Sequence, residues 1–192
     1  MSNSESIKRS GKLFIASALA FLTLLIGWDP ISIPGSLVSA ILLTASMSSL
    51  KTGYGERIGR LGRNALLLGM SAPALWVIGL VFMASMGVEA IGKGGWVLLF
   101  VGPAISLLGL TLFGLTALVS KPMPRLNWLP LFAGIWYPVT YTLFSIYDIS
   151  QKGVFPEQYV PELVLMIAIQ FFALCSLGFV LIDDSSKELA AA

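Results

Sequence analysis

The stretch LVLMIAIQFFALCSLGFVLI, Leu163 to Ile182, is twenty residues long and contains no Lys, Arg, Asp or Glu. A helix rises 1.5 Å per residue, so a run of about this length crosses a hydrocarbon core of about 30 Å. Five further runs of the same kind precede it: Leu13 to Trp28, Ile31 to Leu50, Ala65 to Val88, Trp96 to Val119 and Leu129 to Tyr147. Six such runs predict an all-α polytopic membrane protein, an antiparallel bundle of six transmembrane helices forming a single domain over residues 1–192. The composition agrees: 56% of the 192 residues are hydrophobic and 11% charged, against about 25% charged in soluble domains.

The charged residues set the expected orientation. With the runs crossing alternately, ten basic residues fall on one side, namely Lys8, Arg9, Lys12, Lys51, Arg57, Arg60, Arg63, Lys121, Arg125 and Lys187. Two, Lys93 and Lys152, fall on the other. An excess of Lys and Arg in short loops marks the cytoplasmic face, which predicts both termini in the cytoplasm of a multi-pass inner (cytoplasmic) membrane protein. Lys8, Arg9 and Lys12 ahead of an apolar run resemble the start of a signal peptide, but no small-x-small site follows Phe21, so the run reads as a retained first helix. The small net charge of +2 gives no support to a nucleic-acid partner. The basic loops suit anionic lipid headgroups.

The longest segments between runs, Lys51 to Asn64 and Asp148 to Glu162, have 14 and 15 residues, too short for a soluble catalytic domain. There is no histidine and one cysteine, Cys175. That removes His-ligated metal and haem sites, Ser-His hydrolases and dithiol redox chemistry. Phosphate-binding and nucleophile-elbow glycine motifs are absent as well. The expectation is no enzyme, no cofactor and no metal.

Function therefore has to come from helix packing or an intramembrane cavity. In lipid, helices associate through small residues that let backbones approach. Ser36, Ala40, Thr44 and Ser48 recur every four residues in the second run, and Ala16 and Ala20, continued by Thr23 and Gly27, do so in the first. These are the expected packing seam of the first hairpin, with Gly102, Ser106 and Gly109 a shorter seam on the fourth run. Prolines lie deep in three runs, at Pro73, Pro103 and Pro138, and each frees the carbonyl four residues earlier, which then needs a partner. Kinked helices of this kind build substrate sites in transporters. Gln170 is the one strongly polar side chain deep in a run. Together with Pro103, Trp136, Tyr137 and Tyr141 it forms the candidate ligand cavity, suited to a neutral, largely apolar molecule. An amide at such depth equally bonds across a helix interface. Trp128, Phe132 and Trp136 repeat every four residues on one face of the fifth run, as a packing or lipid-facing stripe does.

Gly59-Arg60-Leu61-Gly62, and Leu112-Phe113-Gly114-Leu115 followed by Met123-Pro124-Arg125, resemble the G-R-L-G and F-G-[IL]…L-P-R-W pattern of small uncharacterised six-helix bacterial integral membrane proteins. The chain departs from that pattern where Leu126 follows Arg125 and the tryptophan arrives at Trp128. The resemblance implies a fold and no activity. Six spans with both termini inside and Ala16-x-x-x-Ala20 on the first helix are also similar to the substrate-binding subunits of energy-coupling-factor vitamin transporters, which dock a membrane partner through such a face. Two functions follow as expectations. The first is a structural or accessory subunit that packs with itself or with a larger membrane complex. The second is a binding or transport subunit for a small neutral or lipophilic solute.

Overall fold

The computed structural model describes residues 3–26, 29–75, 77–78, 88–152 and 161–190. Six long helices account for nearly all of them: α1 (Asn3–Phe21), continued by a 3₁₀ turn (Leu22–Ile26), α2 (Asp29–Tyr54), α3 (Gly59–Met70), α4 (Val88–Ser120), α5 (Leu129–Lys152) and α6 (Pro161–Ala190). No strand occurs among the described residues.

Several helices outrun the apolar runs that announce them. α1 starts at Asn3 rather than near Leu13, because Ile7 and Ser10 are buried against neighbouring helices and nothing from Asn3 to Lys12 breaks a helix. α4 starts at Val88 and takes in residues 89–95, which the charge pattern assigns to an outer loop. The third run behaves differently. α3 ends at Met70, where the Ser71 N–H donates to the Leu68 carbonyl (3.1 Å) and the Ser71 hydroxyl to the same carbonyl (2.7 Å). Pro73 follows, without an N–H for the Gly69 carbonyl. Ser106 of α4 supplies the missing donor, its Oγ lying 3.3 Å from that oxygen. The proline thus turns a lost intrahelical bond into an interhelical one. Residues 79–87 of the same run lie outside the described residues.

The helices close into a ring in chain order: α1 packs on α2, α2 on α3, α3 on α4, α4 on α5, α5 on α6, and α6 back on α1, with α2 also touching α4. Neighbours run antiparallel. Ser10 meets Ser46 while Ser17 meets Ser39, and Gly62 faces Thr116 while Gly69 faces Gly109. The middle is filled by side chains, among them Phe14, Phe21, Met47, Leu107, Phe113, Tyr137 and Leu174, all at most 2% exposed.

Antiparallel closure brings the start of α1, the α2–α3 turn, the α4–α5 turn and the end of α6 to one end of the bundle. There Gly53 lies against Asn3 and Ile7, and Gly11 against Ile182. The basic residues of all four segments gather at this end. The α4–α5 turn is tightly made. Lys121 follows the last residue of α4 in the left-handed region (φ 46°), its N–H on the Ala117 carbonyl at 2.9 Å, and Pro122 prevents the helix from resuming. This is a helix C-cap built on lysine where glycine would ordinarily sit, at a steric cost of about 1–2 kcal/mol. Leu126 is a second non-glycine residue with positive φ (50°) in the same turn. Asn127 braces the turn: its Oδ1 accepts from the Met123 N–H (3.1 Å) and its Nδ2 donates to the Met123 carbonyl (2.9 Å).

The outer surface inverts the pattern of a water-soluble bundle. Leu165, Phe172 and Phe179 recur every seven residues down α6 at 61–65% exposure, and Leu19, Ile41, Leu115 and Leu143 face outward from α1, α2, α4 and α5. Ser10, Ser17, Ser39, Ser46, Ser106 and Gln170 are fully buried instead. Among the described residues one stretch, Val164–Ser186, is long and apolar enough to cross a membrane.

Candidate functional site

The deep amide lies beside the proline of α5 in one construction. Gln170 stands on the face of α6 that packs against α5, fully buried. Its Nε2 donates to the Ala133 carbonyl at 2.7 Å, and its Oε1 accepts from the Tyr137 N–H at 3.2 Å. Ala133 and Tyr137 are the pair that a regular i→i−4 bond joins. The carboxamide, with a donor and an acceptor like a peptide group, reaches into the helix ladder one residue ahead of Pro138. A side chain inserted there is a recognised cause of helix kinks. Thr140 Oγ1 donates to the Trp136 carbonyl (2.7 Å) and Thr142 Oγ1 to the Pro138 carbonyl (2.7 Å), so hydroxyls satisfy the next turn.

Of the other cavity residues, Tyr137 is buried with its ring edge-on to Phe21 of α1, centroids 5.0 Å apart and planes at 89°. This contact crosses the middle of the ring and fills it. Trp136 is half-buried and continues the ladder Trp128–Phe132–Trp136, with centroid spacings of 6.0 and 5.7 Å. Its indole Nε1 has no hydrogen-bond partner among the described residues. The side chains of Pro103 and Tyr141 lie outside the described residues. The structure therefore brings Gln170, Tyr137 and Trp136 to one level of α5 and α6, with Gln170 engaged by main chain.

In the first hairpin, Ala40 is fully buried, Ala16, Ala20 and Thr44 are half-buried and Ser48 is exposed; the side chain of Ser36 lies outside the described residues. Thr44 Oγ1 donates to the Ala40 carbonyl of its own helix (2.9 Å). The polar bonds between α1 and α2 run through other positions. Ser10 Oγ donates to the Ser46 carbonyl (2.8 Å), the Ser17 and Ser39 hydroxyls lie 3.1 Å apart, and each of the latter also reaches the other's carbonyl. Ser10 and Ser17, like Ser39 and Ser46, are seven residues apart, the repeat of a left-handed helix pair. The four-residue spacing of small residues does not point to this serine ladder. The seven-residue repeat of serines was the available signal.

Close approach is also made elsewhere by glycine. A Cβ at Gly11 would stand 2.5 Å from the Gly178 carbonyl oxygen, and one at Gly178 would stand 2.6 Å from that of Gly11. Cys175 is half-buried on α6 and unpaired with another cysteine. No cluster of three His, Cys, Asp or Glu side chains occurs among the described residues. The chemistry on display is hydrogen bonding between helices, donor by donor, in an apolar setting. In comparisons with protein-family models, curated proteins and solved structures, none matches this chain.

Proposed function

We propose that the chain is a six-span integral protein of the cytoplasmic membrane, both termini inside, that serves as a structural or accessory subunit through helix packing and carries out no catalysis. The observation behind the packing role is the use made of Gln170. The amide of Gln170 is taken up by the α5 backbone, while the outward faces of the helices carry large apolar side chains. A bundle whose interior serines and amide bond the main chain of neighbouring helices, and whose flanks expose large apolar side chains, has that apolar surface directed at lipid and at other membrane helices.

The membrane reading draws on Val164–Ser186, on the apolar outer faces and on the gathering of basic residues at one end. α2, α4 and α5 have 26, 33 and 24 residues, enough to cross by length. α3 has 12, so the third crossing rests on the whole run from Ala65 to Val88. Reporters fused at Ser2 and Ala192 are expected to be active only as cytoplasmic fusions, and one inserted at Gly153 only outside. Termini on opposite sides of the membrane would overturn the six-span count.

The orphan indole N–H of Trp136 favours the second reading, a binding or transport subunit for a small neutral or lipophilic solute, since a buried donor without a partner is a site where a ligand acceptor gains. Purification from native membrane separates the two. The subunit reading expects protein partners in fixed ratio, or a defined homo-oligomer. A stoichiometric small molecule on a lone copy of the chain would replace it with the second reading.

A further inference from the structure

We propose that the groove between α5 and α6 at the basic end of the bundle is a site for one anionic phospholipid, with an acyl chain in the groove and the headgroup phosphate on Lys121 and Arg125. The inference rests on the membrane reading above and goes beyond it by naming a ligand.

The groove has a volume of about 330 Å³, near the lower end of small-molecule pockets, which run from about 300 to 1,000 Å³. Leu126, Trp128 and Phe132 form one wall and Ile169, Phe172 and Val180 the other, with Ala173 and Ser176 as its small-residue floor. Its open side is the outer, apolar face of the bundle, where a lipid tail lies. Its upper rim is the α4–α5 turn, since Leu126 and Trp128 belong to both.

The turn supplies the charge. From Lys121 to Trp128 the sequence is KPMPRLNW, with two cations and no acid, and both cations are exposed. Among the exposed charges, Lys121 and Arg125 stand against Asp183, which lies one helical turn beyond Val180 on α6, and the adjacent Asp184 is buried. A cationic rim directly above an apolar slot matches the two ends of an anionic phospholipid. Trp128, 49% exposed at the boundary between them, has the amphipathic ring that prefers headgroup level.

The turn is also held rather than loose. Asn127 fastens Met123 by both its N–H and its carbonyl, the Leu129 N–H closes on the Leu126 carbonyl at 2.9 Å, and Met123 is buried. Lys121 and Leu126 both keep a left-handed backbone without being glycine, in a chain that has 19 glycines to place. Strain kept at two positions of one turn marks a segment whose side chains are wanted where they are. Here those side chains are one headgroup cation and one wall of the groove.

The experiment uses the full chain purified in dodecylmaltoside and native mass spectrometry with palmitoyl-oleoyl phosphatidylglycerol or the matching phosphatidylcholine. One phosphatidylglycerol should be retained in preference to phosphatidylcholine. Lys121→Gln with Arg125→Gln should cut that preference roughly thirty-fold, about fivefold for each cation, while Lys8→Gln with Lys12→Gln leaves it unchanged. Ser176→Trp fills the groove from its exposed floor and should lower retention of both lipids; a thermal midpoint equal to wild type shows that it folds. Glycerol phosphate, which has the charge and no chain, should not compete. Unchanged preference in the Lys121/Arg125 variant, unchanged retention in Ser176→Trp, competition by glycerol phosphate, or a co-purifying single-span protein that occupies the groove in place of lipid would each overturn the site. Carbonate extraction of membranes tests the parent reading separately: a chain that resists extraction while its variants keep their preference loses the lipid site alone.

Discussion

Gln170→Leu is expected to destabilise the bundle by about 2 kcal/mol, although it removes almost no volume. The substitution leaves the Ala133 carbonyl and the Tyr137 N–H without the carboxamide that now bonds both. Interhelical hydrogen bonds in membranes contribute about 0.6 to 1.7 kcal/mol each, and an abandoned buried donor or acceptor carries a penalty of about 1–3 kcal/mol. For a chain of this size the fall in thermal midpoint is about 4–8 °C. The neighbouring proline sharpens the test. If the amide is needed because Pro138 opens the α5 ladder, Pro138→Ala lets the helix close and should shrink the effect of Gln170→Leu to less than half. The two substitutions then couple in a double-mutant cycle read by thermal unfolding in detergent. A midpoint within about a degree of wild type for Gln170→Leu alone would show that the amide does not support α5. A solute-binding role for Gln170 makes the opposite forecast, with binding lost and the midpoint kept.

Hydropathy and charge made the helices legible, and the deep amide was legible as an outlier. Its role was not. Nothing in the order of residues tells whether the partner of Gln170 is a ligand or the main chain of α5, because that depends on which face of α6 meets Pro138 across the bundle. The same limit applied to the hairpin seam. Small residues four apart and serines seven apart both give a narrow stripe on a helix, and only the crossing geometry selects Ser10, Ser17, Ser39 and Ser46. The freed carbonyl of Gly69 was predictable from Pro73, whereas its donor, Ser106, lies 37 positions away. Element ends depart from the apolar runs for a related reason. Apolarity stops at Leu13, but helical contact continues to Ile7 and Ser4, since a helix flank can be charged on one side and packed on the other.

The same charged flank makes the contact that closes the ring. Gly11 lies in the basic flank, ahead of the first apolar run, yet it meets Gly178 just past the midpoint of α6. Each glycine lacks room for a Cβ because the other's carbonyl oxygen is there, and a backbone atom cannot step aside as a flexible side chain does. Gly11→Leu should therefore force α1 and α6 apart, at a cost of about 3 kcal/mol, the upper end of ordinary overpacking, with a visible drop in midpoint and in monodispersity after extraction. Leu19→Ala, at a position 57% exposed on the same helix, should change little. Gly178→Leu alone should resemble Gly11→Leu. The double variant is the decisive measurement, because the gap opened by the first leucine is the gap the second occupies. Its loss should be only slightly larger than either single loss, a strong departure from additivity. Additive losses would mean that the two glycines act in separate environments, and a tolerated Gly11→Leu would mean that α1 and α6 do not approach at backbone distance.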